Sequence, residues 1–134
     1  MSDQIFSLGQ KVTDNFCGTA YVNLLVSDSS QVFNCTVYDV RFEPMARNYW
    51  HSHPGGQILL CTDGEGYYQE RGRKARKLIK GDVVEIQPET EHWHGAGKIH
   101  HFSHLGISPN LSKGPALWLG PVTEAEYSEA TGQS

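Results

Sequence analysis

The run Trp50-His51-Ser52-His53-Pro54-Gly55-Gly56-Gln57-Ile58-Leu59-Leu60-Cys61 joins two histidines, two residues apart, to a tight turn and an apolar stretch. On an extended strand, residues two apart project from the same face, so the imidazoles of His51 and His53 can converge on one point. Pro54-Gly55-Gly56 turns the chain and leads Gln57 into the next strand. A second pair, His92 and His94, follows Val83-Val84-Glu85-Ile86 much as the first pair precedes residues 57–62. A lone strand histidine is more often structural, and Gln57 taken alone reads as a structural hydrogen bond. Two HxH pairs in one small chain are hard to explain by packing. Three imidazoles and one amide oxygen make a mixed nitrogen and oxygen donor set. Such a set suits manganese, iron, nickel, copper or zinc and does not suit an all-oxygen calcium site.

Outward from this stretch, short β-branched or aromatic runs alternate with Gly, Pro, Asp and Asn, the rhythm of an all-β sandwich or barrel. Strands are expected near 19–26, 34–43, 57–62, 65–70, 75–79, 82–87 and 100–107, with local, mostly antiparallel pairing. Asp63-Gly64 signals a hairpin between the third and fourth of these. Arg71-Gly72-Arg73 marks the next turn. Thr123 and Glu126 have the spacing of a capping box, which predicts one short helix around 124–130.

At 134 residues the chain is expected to form one domain, 1–134, with its barrel core at about 19–108. A formal charge of −4 gives no general attraction for nucleic acid or anionic lipid. The basic residues Arg71, Arg73, Lys74, Arg76, Lys77 and Lys80 fall on one predicted hairpin and are offset by Glu65 and Glu70, a solvated strand edge. No stretch approaches the roughly 20 apolar residues of a membrane span, and no secretory signal is visible, so a cytoplasmic location is expected. Cys17, Cys35 and Cys61 are irregularly spaced and read as reduced, the last two packed in strands.

The two histidine clusters resemble those of cupins. The first cupin motif, G-x5-HxH-x3-4-E-x6-G, is met by His51, His53 and Gly64, with Gln57 in the Glu position and Met45 in place of the leading Gly. The second, G-x5-P-x-G-x2-H-x3-N, is met by Gly81 and His92, while Gln87, Glu89 and Ala96 replace Pro, Gly and Asn. Pro88 falls one residue late, which suggests a slightly altered turn.

The pieces Phe42-Glu43-Pro44, Trp50-His51-Ser52-His53-Pro54, Gly56-Gln57, Gly81-Asp82-Val83-Val84, His92-Trp93-His94-Gly95 and Ser103-His104-Leu105 are similar to a narrower group. These are the small bacterial cupins that resemble manganese-dependent hydroxynitrile lyases, often found beside carboxymuconolactone decarboxylase-like domains. The resemblance spans roughly residues 15 to 128. It implies an all-β jelly-roll barrel, and one divalent metal, manganese first, with iron, nickel or zinc as alternatives. It also implies His51, His53, Gln57 and His92 as ligands, Gln being the usual ligand in that group. By the same resemblance His104 matches the base or proton relay. Asn48 and Ser108 stand where the lyases commonly have Thr and Gln, and His94 orients a partner or faces the site beside His92.

Gln57 in place of a carboxylate leaves a divalent metal its full charge and a stronger Lewis acidity. Tyr38 and Val40, two apart on a strand leading into the first motif, are the preferred pocket residues, with Asn48, His94 and Ser108. Trp50, Trp93 and Phe102 could line the cavity or belong to the core. Three functions fit: a metal-dependent lyase on a small carbonyl or hydroxy compound, an iron dioxygenase, and a non-catalytic metal or small-molecule-binding module. Oxygen consumption with iron would mark the second, and metal binding without turnover the third. A homodimer is expected, because jelly-roll edges are commonly covered by a second copy.

Overall fold

The computed structural model describes residues 5–132. Its strands are β1 (Gln10–Val12), β2 (Phe16–Cys17), β3 (Ala20–Val26), β4 (Cys35–Phe42), β5 (Arg47–Asn48), β6 (Trp50–Ser52), β7 (Gln57–Glu70), β8 (Arg76–Ile79), β9 (Val83–Ile86), β10 (His92–Ala96), β11 (Phe102–Pro109) and β12 (Leu117–Gly120). A 3-10 turn at Leu111–Lys113 precedes β12, and one helix, α1 (Glu124–Thr131), closes the described chain. The result is the expected all-β jelly-roll barrel with a short C-terminal helix.

Two antiparallel layers share β7. Its first part pairs with β9 and β11, and the layer continues through β4 and β3 to β1. Its second part pairs with β8 and β10, and β10 in turn carries β5 and β6, which extend to β2 and β12. The expected hairpin at Asp63-Gly64 is therefore absent, and one strand of 14 residues runs through it. Gly64 does adopt a left-handed φ of 75°, but it is used to pass the strand from one layer to the other. A Cβ at that position would lie 1.9 Å from the His101 carbonyl oxygen, and the β7/β11 register shifts beside it, so the glycine serves a close backbone approach at a bulge.

Inside the barrel, Val40, Phe42, Leu59, Val84, Ile86 and Phe102 form the main core. A second cluster, Trp50, Trp93, Val122, Tyr127 and Ala130, clamps α1 against the layer that carries the histidines. The Thr123–Glu126 capping box forms as the sequence predicts. The Tyr127 hydroxyl donates to the Ala96 carbonyl at 2.8 Å, and the Arg47 guanidinium lies 4.3 Å over the Tyr127 ring. Trp93 and Trp50 are thus occupied by the helix, and Phe102 stacks on Phe42. Of the four aromatics considered for the cavity, Tyr38 alone lines it. The basic hairpin is a solvated edge, where Lys77 pairs with Glu65 and Arg73 with Glu70. Cys17, Cys35 and Cys61 are free thiols, and each sits in a strand.

Candidate metal centre and pocket

His51 on β6 and His92 on β10 are direct cross-strand partners, which sets their side chains next to one another on one face. His53 follows β6 at the start of the turn, its carbonyl accepting from the amides of Gly56 at 3.1 Å and Glu89 at 2.9 Å. Both clusters are tied together there. The ligand-capable nitrogens of His51, His53 and His92 all lie within 4.8 Å of one another.

Two backbone carbonyls fix the ring tautomers. His51 Nδ1 lies 2.7 Å from the Tyr49 oxygen and His92 Nδ1 lies 2.8 Å from the Thr90 oxygen. A carbonyl can only accept, so each Nδ1 carries the proton and each Nε2 keeps its lone pair. His53 Nε2, His92 Nε2 and the Gln57 Oε1 are buried without a hydrogen-bond partner. Leaving one such polar atom unpaired costs about 1–3 kcal/mol, so several together in one place are what a bound cation would satisfy. Burial lowers all three imidazole pKa values: His53 and His92 fall to about 4, and His51 goes well below its ordinary value, with repulsion from its imidazole neighbours adding to the effect. Neutral imidazoles at physiological pH are the form that ligates a metal. The donor set therefore fits one divalent transition metal, with His51, His53, His92 and Gln57 able to hold it.

A cavity of about 440 Å³ opens beside this cluster. Tyr38, Val40, Asn48, His94, His104 and Ser108 all line it, together with His51, His53 and Gln57. His92 lies behind this wall, fully buried. His94 sits between the cluster and His104: its Nδ1 is 3.1 Å from His104 Nε2, and its ring stacks 5.7 Å from that of His92. Asn48 accepts the backbone N–H of His94 at 2.9 Å and places its amide nitrogen 3.3 Å from the His94 ring. Burial drives the His104 pKa down to about 4 and that of His94 well below the ordinary value. His104 Nδ1 is buried and unpaired.

Three contributions went unread in the sequence. Trp118 on β12 stacks 4.6 Å from the His51 ring and lines the cavity. It stands in the alternation-free run Leu117-Trp118-Leu119, which carries no period-two signal. Val12 and Phe16 reach the cavity from β1 and β2, strands too short to read by pattern. The Tyr49 and Thr90 carbonyls act through backbone geometry, which residue type does not reveal.

The sequence matches the cupin domain family over residues 38–101. It is 36% identical over 121 residues to the (R)-mandelonitrile lyase of Granulicella tundricola, covering 89% of this chain and 90% of that one. A crystal structure of a cupin-like protein from Thermotoga maritima is 56% identical, with 98% of this chain and 100% of that chain covered and a TM-score of 0.97. A predicted oxalate decarboxylase from the same organism superposes with a TM-score of 0.69 at 15% identity, covering 89% of this chain and 100% of the other, a likeness of fold alone. The chain belongs to the cupin superfamily.

Proposed function

We propose that this protein is a metal-dependent lyase that cleaves a small, uncharged hydroxy compound of the cyanohydrin type, with manganese as its metal. The observation that carries the reading is the juxtaposition, in one cavity, of the histidine and Gln57 cluster with an unpaired imidazole nitrogen, His104 Nδ1. The similarity to an (R)-mandelonitrile lyase supports the reaction class. Neutrality of the substrate is supported by the cavity wall, which among the described residues includes no Lys, Arg, Asp or Glu.

When bound, the divalent ion supplies Lewis acidity toward a substrate oxygen. His51, His53, His92 and Gln57 hold it, and the carbonyls of Tyr49 and Thr90 keep the first and third imidazoles in the ligating tautomer. His104 takes the substrate hydroxyl proton at Nδ1 while its Nε2–H is held by His94 Nδ1. The carbon–cyanide bond breaks, its electron pair leaves with cyanide, and the oxygen's electrons form the carbonyl. The proton on His104 passes to cyanide, so the products are a carbonyl compound and hydrogen cyanide. Tyr38, Val40, Asn48 and Ser108 enclose the rest of the substrate.

The deciding experiment is elemental analysis of untagged protein beside His51→Ala and Gln57→Ala, followed by a cyanohydrin cleavage assay. One equivalent of manganese, lost in His51→Ala, with cleavage by the parent protein, is the expected result. A chain that takes up no transition metal when supplied with it would refute the proposal. The same reading includes one domain over residues 1–134 and a homodimer. The dimer is supported by β12, which pairs with β6 on one side only and exposes Leu117, Trp118 and Leu119. Sedimentation at twice 14.9 kDa is expected, and a monomer at micromolar concentration would overturn it.

A further inference from the structure

Glycine in the middle of a strand weakens it, because the residue has no side chain to pack and loses more backbone freedom on folding. In β7 and β10 the structure shows why glycine is kept. A Cβ at Gly66 would meet the Phe102 ring at 2.4 Å, and one at Gly95 would meet the Ala46 carbonyl oxygen at 2.5 Å. Gly106, in the middle of β11, has no such reason. Its φ is not left-handed, and the nearest heavy atoms to an added Cβ would be His104 Cε1 at 3.5 Å, Gln57 Nε2 at 3.6 Å and His104 Nδ1 at 3.7 Å. These are ordinary van der Waals distances, so the backbone and its surroundings tolerate a side chain. What such a side chain would remove is open space on the cavity wall between His104 and Gln57. Across the ladder Gly106 faces Tyr38 on β4, whose ring borders the same space.

We propose that Gly106 is the specificity-determining position of this cavity. Its bare surface, between His104 and Gln57 and opposite Tyr38, receives the bulky substituent on the reacting carbon. The glycine gives up strand stability to admit a ring-sized group such as phenyl. The inference rests on the assignment of this cavity as the substrate site, and it fixes the substrate class further, to aryl-bearing over short alkyl compounds.

The test uses the metal-loaded full chain, with Gly106→Ala and Gly106→Val. Benzyl alcohol and 1-propanol serve as neutral binding probes in titration calorimetry, and thermal unfolding and metal content are measured alongside. Metal content should stay unchanged, and the unfolding midpoint of Gly106→Ala should equal or exceed that of the parent. The Kd for benzyl alcohol should rise about tenfold in Gly106→Ala and further in Gly106→Val, a usual magnitude for an overfilled site. The Kd for 1-propanol should move less than about twofold, since space remains for it. Equal losses for both probes, no loss for benzyl alcohol, failure of the parent to bind it, or a lower unfolding midpoint in Gly106→Ala would each overturn the inference. Size-dependent binding without cyanohydrin turnover would instead leave the inference standing and sink the proposed reaction.

Discussion

A histidine that acts as a base must begin as the free imidazole and have one nitrogen facing the substrate. His104 satisfies both conditions. Burial lowers its pKa to about 4 against a smaller upward pull from the Leu105 backbone, so it is neutral at pH 7, and its buried Nδ1 makes no hydrogen bond of good geometry. The cost of burying an imidazolium also makes it a reluctant base. His94 offsets that cost, since its Nδ1 lies 3.1 Å from His104 Nε2 and can accept a proton shared between the two rings. Replacing His104 by Ala should therefore lower kcat by about 10²–10⁴, the range of general acid–base catalysis, while metal content stays at that of the parent. The two measurements separate a base from a metal-site defect. Activity retained in His104→Ala would remove His104 from the chemistry, and activity lost together with the metal would make it part of the metal site.

At the scale of elements, the turns that lead into β5 and β10 hold residues that prefer other conformations. The first cupin motif begins with Gly, and the second has one two residues after its Pro. Here Met45 and Glu89 stand in those places with φ of 74° and 65°. A residue with a Cβ pays about 1–2 kcal/mol for a left-handed backbone. Both turns therefore adopt a left-handed backbone at these two positions without a glycine there. Glu89→Gly should stabilise the protein by about 1 kcal/mol, once the greater freedom of glycine in the unfolded chain is subtracted. A higher urea midpoint at unchanged slope would show it, and a lower midpoint would mean that the Glu89 side chain does something the backbone does not explain. In the sequence Pro88 alone points to an altered turn, and nothing in Met45 or Glu89 announces a left-handed backbone, because residue type reports preference and not the conformation that tertiary packing enforces. The same limit explains the other differences. Long β-branched runs and the Thr123–Glu126 cap were readable because their signal is local. Asp63-Gly64 looked like a hairpin because a left-handed glycine serves a turn and an interlayer bulge equally well. The short strands β1, β2 and β12 contribute Val12, Phe16 and Trp118 to the cavity only through long-range pairing. The histidines were legible because HxH spacing on a strand is itself a statement of geometry, and the resemblance to cupins supplied Gln57 and the choice of His92 over His94.

For the molecule as a whole, burying four imidazoles in one cavity wall and a fifth, His92, behind it links stability to pH and to metal. In the folded chain His53, His92 and His104 have pKa values near 4, and His51 and His94 lie well below the ordinary 6.5, burial being the largest cause in every case. In the unfolded chain all five titrate near 6.5. Above about pH 7 both states carry neutral rings and the histidines contribute no pH dependence. As pH falls from 6.5 toward 4, the unfolded state binds protons that the metal-free folded state refuses, so stability is lost throughout that window. One ring shifted from 6.5 to about 4 already costs about 3 kcal/mol by the bottom of the window, a large share of the 5–15 kcal/mol that holds a domain together. Metal-free protein should therefore show a urea midpoint that is flat above pH 7 and falls steeply below 6.5, with acid unfolding complete before pH 4. A metal that binds only the folded cluster of deprotonated rings would add stability by mass action. Manganese in excess should shift the acid transition to lower pH by an amount that grows with metal concentration. His51→Ala should lose that shift, because it removes a ligand. A midpoint independent of pH between 7 and 5 would show that the rings are not held neutral by burial. A transition indifferent to manganese, zinc and iron alike would show that the unpaired atoms of His53, Gln57 and His92 are satisfied by something other than a metal.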